Sequence, residues 1–346
     1  MKIRFTRIVR KAKILTGSNS VEEYRLEHRV DPLTGRLSTV CPGIKEKRGL
    51  FFGKPDWTLV KTLAEESKAS CPFCPENLQS ATARFYNLKK KRLRFGKAWA
   101  FPNLYPRAEF EAVAVLTPRH FLGLNQFTPR VLYEGLRVLL ECAWEAWESK
   151  PRLKYACIGG NYLFPAGASL LHPHFQLIMR DLQFNYVKEL SRCSEAYHRE
   201  QGENYWEALV KQEKSRGERF VGYVNGTYWL TPFAPQGMDE VQAVVLGKSH
   251  LLELDACILK GLASGLSKVL KYYDETGLSS FNIALYSEAL GVKTEHFTCL
   301  LRVISRPNMR ENYTNFDGWY AQKLLDETVL VDSPESRAAD LRKLFP

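Results

Sequence analysis

Two stretches of the sequence, WAFPNLYPRAEFEAVAVLTPRHFLGL at 99–124 and WLTPFAPQGMDEVQAVVLGKSHLLEL at 229–254, can be laid over each other without a gap. The first Trp, the Pro three residues after it, a Val-Leu pair, a His and two later leucines coincide in the two stretches. Such a match within one chain indicates an internal duplication of a structural unit. Two unrelated halves that share a local pattern by chance are the alternative.

The residues that follow each stretch repeat the same order of predicted elements. Residues 128–147 and 255–273 carry apolar side chains at intervals of three and four, which is typical of an amphipathic helix. Strand-like apolar runs follow each helix, at 154–164 and 279–287. The order strand, turn, strand, helix, strand, strand in each half predicts an α+β fold, with helices packed on an antiparallel sheet.

The boundary between the two repeats is expected in the polar stretch around 183–218, which is itself predicted to form a helix. This boundary gives an N-terminal repeat at 1–185 and a degenerate C-terminal repeat at 186–346. Residues 1–70 are predicted to be irregular, apart from one hairpin at DPLTGR (31–36), where Asp-Pro and Gly form a turn signature.

The composition restricts the kinds of partner and compartment. The chain has 346 residues, 45% of them hydrophobic, and a formal net charge of +11, which favours acidic partners. Lys and Arg are dispersed and no nucleic-acid-binding signature is present, so a phosphorylated small molecule is expected and nucleic acid is not. The longest apolar stretches are strand-sized, and the eight cysteines are irregularly spaced and do not resemble a disulfide framework. We therefore expect a cytoplasmic protein without a membrane partner.

The stretch ASLLHPHFQLIM at 168–179 places polar side chains in a run that otherwise predicts a buried strand. In an extended strand His172, His174 and Gln176 point to one face, while the alternate apolar residues point to a core. Pro173 cannot donate a ladder hydrogen bond, so the strand is expected to start there or to lie at an edge. A single buried His is usually a satisfied core residue, but two on one face followed by Gln favour a ligand or a metal.

The segment GGNYLFPAGASLL at 159–171 lies just before this strand. Gly159, Gly160 and Gly167 would let backbone amides approach an anion, and Asn161 and Ser169 would add side-chain donors. The segment is therefore a candidate loop for phosphate oxygens while His174 attacks phosphorus. By itself, such a glycine content is equally typical of a plain turn.

A candidate metal site begins at Cys71 and Cys74, whose C-x-x-C spacing lets two thiolates bind one ion. A redox pair or two incidental thiols are the alternatives. His120 and His172 are candidates for the remaining ligands. Two thiolates and two imidazoles would form a closed tetrahedral Zn²⁺ site of the structural kind, which would hold the strand that presents His174.

Five sequence elements occur in an order and spacing that match a known family. They are RVDPLTGR (29–36), CPFCPEN (71–77), FPNLYP (101–106), TPRH (117–120), and the run from Asn161 through Gly167 and Ser169 to HPHFQ (172–176). With these elements the chain resembles the galactose-1-phosphate uridylyltransferase family of the histidine triad superfamily, which includes ADP-glucose phosphorylase. The resemblance implies a duplicated histidine-triad-like fold whose antiparallel sheet forms a half-barrel, a cytoplasmic homodimer, and a role in nucleotide-sugar and galactose metabolism.

The resemblance also implies a mechanism. His174 would attack the α-phosphorus of a nucleoside diphosphate sugar, expel sugar 1-phosphate and hold the nucleoside monophosphate covalently until phosphate or a second sugar 1-phosphate removes it. Gln176 would donate to the phosphoryl oxygens, Asn161 and Ser169 would bind the phosphates, and Asn103 would lie near the ribose. The zinc ligands would be Cys71, Cys74, His120 and His172.

The chain departs from the family pattern at several places. Leu104 stands where the uridylyltransferases usually carry an acidic residue, which leaves the choice between uracil and adenine open. Lys45, Lys47 and Arg48 match the family's phosphate-binding segment only loosely. Leu300 and Arg302 stand where many members have ligands of a second metal, so no second metal is expected. Residues 308–323 do not reproduce the segment that closes over the hexose in a partner subunit.

Three functions follow from these observations. The first is a nucleotidyltransferase or phosphorylase acting on nucleoside diphosphate sugars through a covalent nucleotidyl-histidine. The second is a phosphorylase or hydrolase of dinucleoside polyphosphates, which would use the same nucleophile with another leaving group. The third is a zinc-stabilised nucleotide-binding protein without turnover, which the intact HPHFQ motif disfavours.

Overall fold

The computed structural model describes residues 3–42, 49, 53–313 and 320–345. Its strands are β1 Thr6–Leu15, β2 Val21–Val30, β3 Leu37–Val40, β4 Leu93–Phe95, β5 Ala98–Pro102, β6 Phe110–Val115, β7 Tyr155–Tyr162, β8 His174–Arg180, β9 Phe220–Val224, β10 Thr227–Leu230, β11 Val241–Val245, β12 Ser280–Tyr286, β13 Cys299–Arg306 and β14 Thr328–Leu330. Its α-helices are α1 Trp57–Lys68, α2 Pro75–Ala81, α3 Pro129–Ser149, α4 Asn185–Gln201, α5 Tyr205–Arg216, α6 Ala256–Glu275, α7 Tyr320–Leu324 and α8 Pro334–Arg342. Within this described part of the chain, none of the helices combines the length and the apolar character that crossing a bilayer requires.

A ten-stranded antiparallel sheet, counted over the described residues, runs through both halves of the chain in the order β4-β5-β6-β8-β7-β12-β13-β11-β10-β9. Each half contributes five consecutive strands. From the outer edge inward, the first three strands of each half follow the order of the chain, and the fifth strand then lies before the fourth. The two halves meet where β7 pairs with β12. The equal strand order confirms the predicted duplication and the α+β class.

The long helices α3 and α6 cover one face of this sheet and pack against each other. Gly265 lets α6 approach the sheet closely, because a Cβ there would lie 2.0 Å from the ring of the fully buried Trp229. Gly135 does the same in α3, where a Cβ would lie 2.2 Å from Leu116. The two repeated stretches therefore supply the sheet side of two equivalent helix contacts.

The opposite face of the sheet is covered differently in the two halves. Paired residues lie on the same side of a sheet, so the register places Val244 and Leu300 on the same face as His174. In the C-terminal half this face is filled, since Val244 and Leu300 pack in an apolar cluster with Leu190 of α4 and Trp206 of α5. In the N-terminal half His174 stays partly exposed. Among the described residues, this position of the sheet is therefore accessible in the N-terminal repeat and covered in the C-terminal one.

The N-terminal region is more regular than the sequence predicts. The hairpin at 31–36 is present between β2 and β3, where Asp31 Oδ1 accepts the N–H of Thr34 at 2.7 Å and Gly35 has a φ of 78°. However, β1 and β2 form a second, longer hairpin, and β14 completes a four-stranded sheet beside β3. The prediction of irregular structure was wrong because two consecutive hairpins pair β1, β2 and β3, and because β14, a strand near the other end of the chain, pairs with β3.

The polar stretch at the expected boundary forms two helices rather than one. Gly202 ends α4 in the left-handed conformation, with a φ of 72°, and such a conformation suits glycine. Asn204 then starts α5, because its side chain accepts the N–H of Trp206 at 2.8 Å. The division of the chain at 185 and 186 falls where α4 begins and stays a prediction.

Candidate functional site

The nucleophile candidate His174 is the first residue of β8, directly after Pro173. The carbonyl of Pro173 accepts the N–H of Leu116 at 3.0 Å, which continues the pairing with β6 on that side. The strand therefore starts where the proline predicts. The alternative position at a sheet edge was wrong, since β8 lies between β6 and β7. The missing N–H of the proline falls just before the strand, so no ladder hydrogen bond is lost.

The protonation of His174 follows from its backbone contact. Its Nδ1 lies 2.8 Å from the carbonyl oxygen of His172. A carbonyl can only accept, so Nδ1 carries the hydrogen and Nε2 keeps its lone pair. Burial lowers the pKa of His174 although this hydrogen bond acts in the opposite direction. The ring of Phe73 meets that of His174 edge-on, with centroids 5.3 Å apart. The neutral imidazole therefore offers Nε2 as its nucleophilic atom.

The glycine-rich segment before β8 is not a loop in its first part. Gly159, Gly160 and Asn161 belong to β7. Gly160 faces the helices, where a Cβ would lie 2.5 Å from the ring of Phe175. The assignment of these three residues to a loop is therefore wrong and the predicted strand at 154–164 is confirmed, while the phosphate-binding role of the Asn161 side chain stays a prediction. Because Gly160 has no Cβ, the ring of Phe175 on β8 can pack closely against β7. The backbone N–H of Gly160 belongs to the sheet and therefore does not bind an anion.

The amides of Asn161 and Gln176 lie beside His174 on one face of the sheet. Gln176 pairs with Gly159, and the same antiparallel register brings Asn161 next to His174. Asn161 Oδ1 accepts a hydrogen bond from Asn282 Nδ2 at 2.7 Å. Two side-chain amides consequently flank the imidazole, as the sequence predicts for a site that binds phosphoryl oxygens.

The other two residues of the predicted phosphate site lie in the connection between β7 and β8. Gly167 is exposed and has a φ of 85°, so a glycine suits this position. Ser169 is also exposed. Both residues therefore lie exposed in the connection that leads into His174, and their contact with phosphate stays a prediction.

Asn103 belongs to a polar cluster that the sequence analysis did not identify as a whole. Its Nδ2 donates to Glu111 Oε1 at 2.7 Å, and its Oδ1 accepts the N–H of Tyr105 at 3.1 Å. Arg107 donates to both carboxylate oxygens of Glu111 and, through Nη2, to Gln176 Oε1 at 3.0 Å. The available signal was a lone Glu in the apolar strand FEAVAV, since a buried carboxylate requires partners.

The carboxylate of Glu111 is the centre of this cluster and its side chain is fully buried. Burial alone would raise the pKa of Glu111, but the hydrogen bonds from Arg107 and Asn103 hold it below its usual value. Glu111 is therefore an anion whose partners are fixed by charge. Asn103 and Arg107 in turn are held in one orientation beside Gln176.

The four predicted metal ligands come together in one buried cluster. The ligand atoms of Cys71, Cys74, His120 and His172 all lie within 4.8 Å of one another. Cys74 Sγ lies 3.4 Å from His120 Nδ1 and 3.7 Å from His172 Nδ1, and Cys71 Sγ lies 3.6 Å from His172 Nδ1. A tetrahedral zinc ion about 2.3 Å from sulfur and about 2.0 Å from nitrogen places these atoms about 3.5 Å apart. The cluster could therefore hold a metal ion.

The far nitrogens of both imidazoles have partners that leave Nδ1 for a metal. His172 Nε2 lies 2.8 Å from the carbonyl oxygen of Thr117, which can only accept. His120 Nε2 lies 3.0 Å from Ser67 Oγ, whose own hydroxyl donates to Leu63 at 2.6 Å. Both imidazoles therefore carry their hydrogen on Nε2. Such contacts orient metal ligands in known sites.

The electrostatics of the cluster favour a bound cation. Burial lowers the pKa of His172 to about 4 and also lowers the pKa of His120, so both rings are neutral. Burial and the neighbouring Cys71 raise the pKa of Cys74 to about 12. The protein by itself thus disfavours two thiolates at this place. A cation between the four ligand atoms would stabilise them.

A pocket of about 370 Å³ is lined in part by Phe73, whose ring also contacts that of His174. Leu78, Trp99 and Val115 line it together with Phe73, and Val115 pairs with His174 in the sheet. Arg94 also lines the pocket and places its guanidinium 5.2 Å from the centre of the Trp99 ring. The pocket offers aromatic and aliphatic walls next to the imidazole.

Three of the residues at which the chain departs from the family pattern, Leu104, Leu300 and Arg302, lie in the described part of the structure. Leu104 is exposed beside Asn103, and Leu300 is buried in the apolar cluster described above. Arg302 is paired with Glu240, with Nε and Nη2 at 2.6 and 2.8 Å from the two carboxylate oxygens. The expectation of no second metal stays a prediction. Lys45, Lys47 and Arg48, and residues 314–319 of the C-terminal segment, lie outside the described residues.

Comparison with known proteins gives one similar sequence. No protein-family model matches the chain. An uncharacterized protein of Archaeoglobus fulgidus is 29% identical over 346 residues, which cover 99% of both chains. This relative therefore shares the length of the chain but adds no activity.

Comparison with solved structures identifies the fold. The structure of ADP-glucose phosphorylase from Arabidopsis thaliana with bound ADP-glucose has a TM-score of 0.71 at 19% identity, over 92% of this chain and 98% of that one. A galt-like protein of the same plant has a TM-score of 0.69 at 19% identity, with the same coverage. A uridylyltransferase has a TM-score of 0.64 at 19% identity, over 72% of this chain and 85% of that one. The chain therefore has the fold of these proteins, which confirms the resemblance at the level of the fold.

Proposed function

We propose that the protein is a nucleotidyltransferase that moves a nucleoside monophosphate from a nucleoside diphosphate sugar to phosphate or to a sugar 1-phosphate. The observation that supports this most is the neutral His174, whose Nε2 is available beside the amides of Asn161 and Gln176. A neutral imidazole is a good nucleophile near neutral pH, and a covalent intermediate divides one difficult displacement into two easier ones.

The reaction is written as two displacements at one phosphorus. In the first, His174 Nε2 forms a bond to the α-phosphorus while the bond from that phosphorus to the bridging oxygen breaks, and sugar 1-phosphate leaves with the electron pair. In the second, an oxygen of phosphate or of another sugar 1-phosphate attacks the phosphorus, and the imidazole leaves with its lone pair restored. Nδ1 of His174 keeps its hydrogen throughout and donates it to the carbonyl oxygen of His172. The dipole of this carbonyl therefore stabilises the imidazolium charge of the intermediate.

Other residues would bind the donor. Asn161 and Gln176 would donate to the nonbridging oxygens, with Gly167 and Ser169 on the approach side. The pocket beside Phe73 has the size and the aromatic walls for a nucleobase. Asn103, which its hydrogen bond to Glu111 holds in place, would lie near the ribose. We also propose the homodimer that the resemblance implies, which light scattering after size exclusion would test.

The Cys/His cluster would hold one structural Zn²⁺, with Cys71, Cys74, His120 and His172 as its four ligands. Four protein ligands leave no open position, so the ion would stabilise the fold and take no substrate. His172 is two residues before His174, and its carbonyl binds His174 Nδ1. The cluster would therefore fix the backbone that positions the His174 side chain.

Intact-mass measurement after denaturation tests the proposed reaction. The protein is incubated with UDP-, ADP- and GDP-sugars and with dinucleoside polyphosphates. We expect an adduct one nucleoside monophosphate heavier with a nucleoside diphosphate sugar, and no adduct with His174→Ala. The mass of the adduct identifies the base. An adduct only with dinucleoside polyphosphates would replace the proposal by the second function, and tight nucleotide binding without any adduct would favour the binding protein.

A further inference from the structure

We infer that Arg107 and Asn282 are positioning residues that turn the NH₂ groups of Gln176 and Asn161 towards the ligand on the His174 face. The inference rests on the proposed function and extends it to two side chains that would not touch the substrate. It assigns a role to one residue in a turn of the N-terminal repeat and to one residue of the C-terminal repeat.

The orientation of the Gln176 amide follows from a partner that can only donate. Arg107 Nη2 lies 3.0 Å from the Gln176 side chain. A guanidinium has no acceptor, so the atom that faces it is the carbonyl oxygen Oε1. Nε2 is consequently the end of the amide that is left for a ligand. Glu111 keeps Arg107 in place, since the backbone N–H of Arg107 donates to Glu111 Oε2 at 2.7 Å and its side chain binds the same carboxylate.

The orientation of the Asn161 amide follows from a partner that can only accept. Asn282 places one side-chain atom 2.8 Å from the carbonyl oxygen of Ala166 and 2.7 Å from Asn161. That atom must be the donor Nδ2, because a backbone carbonyl has no hydrogen to give. The Asn161 atom that accepts from it is therefore Oδ1. Within the described ranges of the chain no acceptor binds the NH₂ group of Asn161, so this group can donate to a ligand.

The two contacts produce the same chemical result at two neighbours of the imidazole, one across the strand pair and one along β8. An amide has a donor end and an acceptor end of nearly equal size, and a mobile amide can present either. With both carbonyl oxygens occupied by protein donors, the face beside His174 presents two N–H donors. This arrangement is suited to an anionic phosphoryl oxygen and would repel neither it nor the charge that develops as phosphorus is attacked.

The contact through Asn282 also gives the C-terminal repeat a part in the site. Asn282 lies on β12 and pairs with Asn161 of β7 at the junction of the two halves. In the rest of the C-terminal half the corresponding face is covered, partly by the apolar cluster around Val244 and Leu300 and partly by the buried ion pair of Arg302 with Glu240. The second repeat would therefore act on the reaction through the strand that borders the first.

Single-turnover formation of the His174 adduct tests the inference. We expect Arg107→Met and Asn282→Ala to slow this step about tenfold or more at saturating donor, measured at a temperature at which each variant is folded, with little change in donor affinity. Arg107→Met should also lower the melting temperature, because it leaves the buried carboxylate of Glu111 without its guanidinium partner. Asn282→Asp should be slower than Asn282→Ala, because its carboxylate would bind the NH₂ of Asn161 and turn Oδ1 towards the phosphate. Arg107→Met should have no further effect in Gln176→Ala, and Asn282→Ala none in Asn161→Ala.

Arg130→Met is the matched control for Arg107→Met. Arg130 also binds a carboxylate with little exposed surface four residues later, Glu134, but on helix α3. This variant should leave the rate unchanged. Equal rates for Arg107→Met, Asn282→Asp and wild type would overturn the inference. So would effects of Arg107→Met and Gln176→Ala that multiply, since they would indicate that Arg107 contacts the substrate itself.

Side-chain amide resonances give a readout that does not depend on turnover. The ¹⁵N-labelled NH₂ signals of Gln176 and Asn161 are assigned by their loss in Gln176→Ala and Asn161→Ala. We expect Arg107→Met to shift only the first signal and Asn282→Ala only the second. If wild type forms no adduct, the proposed function fails while these shifts still test the positioning. Unchanged signals in both variants would overturn the inference.

Discussion

At the scale of single residues, the neighbouring glycines Gly159 and Gly160 show how strand geometry separates packing from function. They are successive residues of β7 and therefore point to opposite faces. A Cβ at Gly160 would meet the ring of Phe175 at 2.5 Å, whereas a Cβ at Gly159 would meet only the carbonyl oxygen of Ile283 at 3.5 Å. Gly160 is needed for packing of the core, whereas Gly159 leaves space beside Gln176.

Alanine substitution at the two glycines should therefore have different effects on stability. We expect Gly160→Ala to lower the free energy of unfolding by about 1–3 kcal/mol, because the methyl group overpacks the strand against Phe175. Gly159→Ala should change it by less than about 0.5 kcal/mol. Urea unfolding followed by fluorescence measures both. Equal losses in the two variants would contradict the assignment of faces.

At the scale of elements, the Cys/His cluster joins three parts of the fold that are distant in sequence. Cys71 and Cys74 lie at the start of α2, His120 follows β6, and His172 precedes β8. The carbonyl of Thr117 just after β6 also receives the Nε2 hydrogen of His172. The cluster therefore connects α2 to the ends of β6 and β8. Loss of the cluster should increase the mobility of these ends before it affects the face of the sheet that α3 and α6 cover.

A Cys71→Ser, Cys74→Ser double variant tests the metal at this junction. Elemental analysis should find about one zinc per chain in wild type and little or none in the variant, because both thiolate ligands are lost. The melting temperature of the variant should fall, and its peptides from α2 should exchange hydrogen faster. Cys257→Ser, at an exposed thiol on α6, is the control and should keep the metal. Wild type without metal would sink this assignment.

At the scale of the whole molecule, one carboxylate ties both ends of the chain to the body. Glu335 at the start of α8 binds Arg29 of β2 through both oxygens at 2.8 Å, and it binds Arg219 at 2.8 Å. Arg219 also pairs with the buried Glu213 of α5. Burial alone would raise the pKa of Glu335, but the two guanidinium groups lower it from 4.5 to about 2.

Acid should weaken this connection in a defined pH range. A carboxyl group whose pKa is lower in the folded chain contributes stability that is complete above the unfolded pKa and is lost as the pH falls towards the folded one. Glu335→Gln should therefore destabilise the protein by on the order of 3 kcal/mol at pH 7, with the difference shrinking between about pH 4.5 and pH 2. Urea unfolding at several pH values measures this, with Glu207→Gln on the exposed side of α5 as control. A difference independent of pH would contradict the role of the ion pairs.

The sequence by itself determined the α+β class, the duplication, the two long helices and the four residues of the Cys/His cluster. The class and the helices follow from periodicities of 3.6 and 2.0, and the duplication follows from the match of two stretches. The four Cys and His residues follow from the C-x-x-C spacing together with the resemblance to the family. It also placed His174 and Gln176 on one face, since alternation along a strand needs no partner.

Only the tertiary structure decided which nitrogen of His174 is free, that Gly160 serves packing, and that Arg107 and Asn282 hold the two amides. These facts depend on the backbone conformation at His172 and on which strands pair and in which register, and the contacts of Arg107 and Asn282 span 69 and 121 residues. The same reason explains why the pairing of β14 with β3 was not predicted, whereas the hairpin of β1 and β2 is local and was missed in the sequence. Hydrogen-bond partners over such distances leave no periodic trace in a sequence, so the chemistry of the site could be predicted and its orientation could not.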